Sequence, residues 1–129
     1  MLKKLFALSL LAVALLVVAK TSYSQTMYFC ESVDGDGYPV GESSVFNISS
    51  SGGYLDVLVR LPYELGTKSV SYEIYHDGVY DNTIYQDAQR NWAWFYKQIT
   101  FYQSGSYQIY AVDGNGQTLC SKTLTINFR

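Results

Sequence analysis

Histidine is nearly missing from this chain: His76 is the only one in 129 residues. There are two cysteines, Cys30 and Cys120, and two prolines, Pro39 and Pro62. Charged residues make up 16% of the sequence, and nowhere do Lys and Arg cluster. Each shortage removes a class of function. One His and two distant Cys offer no zinc-ligand spacing. Nucleophilic catalysis needs a Ser or Cys with a base beside it, and only His76, next to Asp77-Gly78 at an expected hairpin tip, could serve as one. The chain is therefore read as a non-enzyme. No basic patch exists to meet a phosphate backbone, which argues against nucleic-acid binding. Apolar residues show no convincing 3.6-residue period, so helices are not expected.

What is present begins with a leader. Met1-Leu2-Lys3-Lys4 is short and basic, and Leu5 to Ala19 carries no charge. That run suits the apolar region of a signal peptide and is short for a bilayer span. Cleavage is expected after Ala19 or after Ser24, the second being preferred. Residues 1–24 are then a signal peptide and residues 25–129 a single domain of 105 residues. The expected location is secreted, periplasmic or at the cell surface, with no stable membrane insertion after cleavage. Removing Lys3, Lys4 and Lys20 from the nine basic residues leaves six against eleven acidic ones. A net charge of about −5 further disfavours nucleic acid.

Period-2 alternation dominates the mature chain, with β-branched and aromatic runs separated by Gly, Asn, Asp, Ser or Pro. Eight strands are expected, over 27–32, 44–48, 54–61, 69–75, 79–85, 92–101, 106–112 and 117–128. Leu55, Val57, Val59 and Leu61 alternate against Asp56 and Arg60, and Pro62 ends that strand. Asp77-Gly78 and the stretch 113–116 are hairpin turns. Short strands at this spacing predict an all-β antiparallel sandwich of seven or eight strands, with a small closed barrel as the alternative. The expected core is Leu55, Val57, Val59, Ile74, Phe95, Ile99, Tyr107, Ile109, Ala111, Leu124 and Ile126.

Two stretches have chemistry worth weighing. In the first, Asp34-Gly35-Asp36-Gly37, alternating carboxylates suit a hard cation, and Asp34, Asp36 and Glu42 form a candidate calcium set. The EF-hand pattern fails at Tyr38, and Glu42 comes too early to close such a loop. The competing reading is a polar turn in which the glycines supply positive φ. No other cofactor is expected. Asn47-Ile48-Ser49 matches a glycosylation sequon that matters only in a eukaryotic secretory pathway.

The second stretch, residues 91–102, reads NWAWFYKQITFY. Alternation puts Trp92, Trp94, Tyr96, Gln98 and Thr100 on one face. Ala93, Phe95, Lys97, Ile99 and Phe101 fall on the other, which reads as core with Lys97 snorkelling. By the same parity Tyr75 and Tyr110 face outward. Trp94, Tyr96, Tyr110 and Tyr75 are thus a candidate aromatic binding face. The alternative is plain cross-strand packing, worth about 0.2–1 kcal/mol per pair. A bulge near Trp92 would swap the faces.

Residues 104–116, SGSYQIYAVDGNG, resemble the penultimate strand and following turn of bacterial secreted immunoglobulin-like domains of the PKD type. Gly105-Ser106-Tyr107 matches the family's Gly-x-Tyr. Tyr107 would then be the corner tyrosine whose hydroxyl bonds back to the backbone. The family's Asp shortly before that Tyr is missing, Ile109 replaces the antibody-type Cys, and Tyr72 stands where a core Trp would be. The resemblance implies an immunoglobulin-like sandwich. In such sandwiches the first and last strands often run side by side, which implies a Cys30–Cys120 disulfide permitted by export. Two buried thiols are the alternative. The expected function is a non-enzymatic binding or adhesion module with a protein or glycan partner at the cell surface. The alternatives are a structural periplasmic or cell-surface domain, with copies paired into a homodimer through an edge strand, or a secreted enzyme inhibitor. The Gly-x-Trp loop of immunoglobulin-like cysteine-protease inhibitors does not occur.

Overall fold

Leu55, Val57 and Val59 bury one side of a strand because alternation sends them all the same way. The computed structural model describes residues 26–129; the leader and both cleavage sites lie outside the described residues. Ten strands follow in order. They are β1 (Thr26–Cys30), β2 (Ser32–Val33), β3 (Pro39–Val40), β4 (Val45–Ile48) and β5 (Gly53–Arg60). Then come β6 (Ser69–His76), β7 (Val79–Asp87), β8 (Trp94–Phe101), β9 (Gly105–Asp113) and β10 (Thr118–Phe128). The described chain is all-β. All eight expected strands form, with β8 starting at Trp94 rather than Trp92. β2 and β3 arise inside the stretch read as a loop.

Two sheets face each other. One is three-stranded, in the order β1-β5-β8, and the other five-stranded, in the order β4-β10-β9-β6-β7. Every pairing in them is antiparallel except β10 with β4. Between the sheets lies one apolar core. Met27, Phe29, Leu55, Val57, Val59, Phe95 and Ile99 meet Val70, Tyr72, Ile74, Tyr107, Ile109, Leu124 and Ile126 there. All eleven residues expected in the core are buried. Tyr107 donates its hydroxyl to the Gln103 carbonyl at 2.7 Å, the back-bond that the resemblance implied. Asp77 (φ 50°) and Gly78 (φ 85°) turn β6 into β7. Two consecutive positive φ values match the right-handed twist of a two-residue hairpin.

Buried phenol Tyr72 holds the two sheets together on their open side. It donates to Gln86 Oε1 at 2.6 Å, and Gln86 Nε2 donates to the Tyr96 carbonyl at 2.9 Å. A core hydroxyl on one sheet is thereby tied to the edge strand of the other. Burial pushes the Tyr72 phenol well above its usual range.

The strand pair β2–β3 forms a flap against the outer side of the three-stranded sheet. Its β2 borders β5 and its β3 borders β1. Alternation turns Cys30, Leu58 and Arg60 away from the core, yet Cys30 and Leu58 are fully buried. At the flap tip, Gly37 lies on the Trp94 indole with φ +82°. The Arg60 guanidinium donates to the Gly37 carbonyl and stands 4.0 Å over the Tyr38 ring. A second, smaller packing layer results.

Topology corrects the disulfide. β4, not β1, is hydrogen-bonded to β10, and β1 touches β10 only across the layers. Cys30 sits under the flap on the outer side of one sheet, its thiol 3.6 Å from the Asp56 carbonyl. Cys120 packs against the core from the other sheet. The three-stranded sheet stands between them, and both cysteines are free. Burial, and then the Asp56 charge, push the Cys30 thiol up to about 11, and burial pushes Cys120 up to about 12. An unfolded thiol titrates near about 8.5. The folded state thus holds these protons more tightly. The stability they contribute is complete below about pH 8.5 and is lost as pH rises towards and through the folded values. Iodoacetamide at about pH 8 is expected to label neither thiol in the native protein, because the thiolate is the nucleophile. Both should label after unfolding without reductant. A chain that stays unlabelled when unfolded would restore the disulfide.

Candidate functional site: the outer face of the five-stranded sheet

The inward residues of β6 and β9 are Val70, Tyr72, Ile74, Tyr107, Ile109 and Ala111. Their neighbours in sequence must therefore face outward. Strand register arranges them in three rows. Thr123, Gln108, Tyr75 and Tyr80 form the first. Ser121, Tyr110, Glu73 and Thr83 form the second. Thr118, Val112, Ser71 and Tyr85 form the third.

Tyrosines dominate this lattice. Tyr75 meets Tyr80 edge-to-face at 5.6 Å and Tyr110 at 5.7 Å. Such geometry sets the positive edge of one ring against the negative face of the next. The Tyr80 and Thr83 hydroxyls are hydrogen-bonded at 2.7 Å. Thr123 donates its hydroxyl to Gln108 Oε1. Tyr85 is 76% exposed, and Tyr80 55%. Val112 and Ser71 lie covered between their larger neighbours. Glu73 is the single charged side chain in the three rows. The result is a broad, nearly uncharged surface of phenols and hydroxyls with one amide, Gln108.

The expected aromatic face divides between the two sheets. Tyr75 and Tyr110 belong to this surface, but Trp94 and Tyr96 stand on β8 in the three-stranded sheet. Parity gives the side of a strand, not the sheet that it joins. Both pairs point outward, on opposite sides of the molecule. Trp94 is also half-buried, its ring already covered by Gly37. Tyr80 and Tyr85 take the vacated places. A two-residue turn at Asp77-Gly78 already implies that Tyr80 lies opposite Tyr75, so that much was readable. The register shift between Ile74 and Tyr75, which leaves Asp81 as an extra residue, carries no sequence signal.

Asp34, Asp36 and Glu42 do not converge. Asp34 Oδ1 accepts the Asp36 N–H at 2.9 Å and the Tyr38 N–H at 3.0 Å, so its carboxylate closes its own turn. Glu42 pairs instead with Lys122 at 3.6 Å. Among the described residues no three His, Cys, Asp or Glu side chains are grouped to hold a metal ion. His76 stacks on Tyr107 at 4.4 Å. Its Nε2 lies 2.9 Å from the Ser104 carbonyl and 3.4 Å from Asp77 Oδ2. It braces the hairpin tip against the β8–β9 turn.

Among the described residues, no helix is long and apolar enough to cross a membrane. The chain matches no protein-family model and no curated protein.

Proposed function

We propose that this chain is an exported immunoglobulin-like binding module that docks a protein partner through the outer face of its five-stranded sheet. The carrying observation is the tyrosine lattice with one charge in three rows. Tyr brings a large, rigid contact area at low entropic cost, and Ser and Thr bring adaptable hydrogen bonding. The centres of protein interfaces are likewise depleted in charge and enriched in aromatics. The immunoglobulin-like reading is supported by the strand orders, the β4–β10 parallel pairing and the Tyr107 back-bond. The leader sequence supports export to the periplasm, the medium or the cell surface.

The test uses residues 25–129 as bait against the native exported proteins. Tyr85→Ala combined with Tyr110→Ala is expected to weaken capture of the partner by at least about tenfold, the scale of an interface hot spot. Both side chains keep solvent contact, so the melting temperature should barely change. Equal capture by parent and variant would sink the proposal.

A further inference from the structure

On the open side of the sandwich, β7 and β8 are edge strands of opposite sheets. A groove of about 800 Å³ runs between them, beside the turn that leads into β8. Its walls hold the amides Gln86, Gln89, Asn91 and Gln98, the indole of Trp92 and the side chain of Lys97. The volume lies within the usual range for a small-molecule site.

The chemistry of these walls is uneven. Gln86 is spent, because both ends of its amide are already bonded within the protein. Among the described residues the side chains of Gln89, Asn91 and Gln98 make no internal hydrogen bond. Each offers two N–H donors and a carbonyl acceptor. Trp92 is held by stacking on Phe95, with centroids 6.2 Å apart, and so presents a fixed apolar ring to the groove. Lys97 is half-buried on the core side of β8, opposite Val57. It pairs with no carboxylate among the described residues, and the groove itself contains none. Lys97 is the one cation among the residues that line the groove.

We infer that this groove binds an acidic oligosaccharide, with Lys97 meeting the sugar carboxylate. Free amides match sugar hydroxyls, which both donate and accept. A fixed indole matches the C–H face of a pyranose ring. Lys97 supplies the charge complement. An added peptide strand fits less well, because Gln86 already occupies the Tyr96 carbonyl on the β8 edge. This site is separate from the tyrosine lattice, and neither proposal needs the other.

The experiment titrates the domain with trigalacturonate, maltotriose and tetraglutamate, following the Trp92 indole and Gln98 amide resonances by NMR. Trigalacturonate is expected to shift both, with a dissociation constant below about 1 mM. Maltotriose should bind at least about tenfold more weakly. Lys97→Gln should remove that difference without lowering the melting temperature, and Gln98→Ala should weaken both sugars. No shift with either sugar at about 10 mM would overturn the inference. Unchanged trigalacturonate binding by a folded Lys97→Gln variant would overturn it too. So would equal binding of tetraglutamate at the same resonances, which would make the groove a site for acidic peptides. If Lys97→Gln does not fold, unweakened sugar binding by Gln98→Ala decides against the inference.

Discussion

Gly37→Ala is expected to release the flap and expose Cys30 while the main core stays folded. Gly37 has φ +82°, and a Cβ there would collide with the Trp94 ring. The backbone strain alone is worth about 1–3 kcal/mol, and the ring collision adds to it. Trp94 cannot yield easily, since its strand is paired to β5 and aligned with Arg60. The cheaper response is to lift the tip, which gives up the Arg60 contacts with the Gly37 carbonyl and the Tyr38 ring. Alkylation under native conditions is the readout. Cys30 should become reactive in the variant and Cys120 should stay protected, because the two thiols lie on opposite sides of the three-stranded sheet. Protection of both would mean that the tip adapts in place.

Leu58→Ala should cost about 2–5 kcal/mol, the range for emptying a well-packed leucine site. Leu58 is 0% exposed although its strand parity turns it away from the main core. An outward leucine on an open sheet face would lose far less on truncation. Denaturant unfolding of the variant measures the difference. A cost below about 1 kcal/mol would mean that the flap gives Leu58 little packing. The two substitutions share a mechanism and should not add fully, because a lifted flap has already uncovered Leu58.

Parity was the most legible property of this sequence. It placed Leu55, Val57 and Val59 inward, it separated Phe95 and Ile99 from Trp94 and Tyr96, and it turned Tyr75 and Tyr110 outward. Every one of those sides is seen in the structure. Asp77-Gly78 and Tyr107 were legible for a different reason: each carries a local backbone requirement that few residues meet. Sheet membership was not legible, because an outward Tyr on β8 and one on β9 look alike in sequence. That is why one expected aromatic face became two. The flap was hidden by its composition. Asp34 and Asp36 suggested a cation, whereas the loop's partners, Arg60 and Trp94, lie 20 or more residues further along the chain. Long-range partners also decided the cysteines: β4 runs beside β10, and no feature of Val45–Ile48 announces that partner.

The parallel pairing of β4 with β10 also constrains the order of assembly. Val45 aligns with Thr125 and Ile48 with Phe128. Closing a loop of that length has an entropic cost before any contact repays it. The β6–β7 and β9–β10 hairpins close over short turns and can form early. β4 has no other strand partner in its sheet, so it waits for the last strand. Its neighbours β1 and β5 meanwhile belong to the opposite layer. β1, β5 and β8 can pair among themselves, so it is β4 whose place is left open until the far end of the chain arrives. Slow, late closure of this seam should make β4 the least protected strand in hydrogen exchange during refolding.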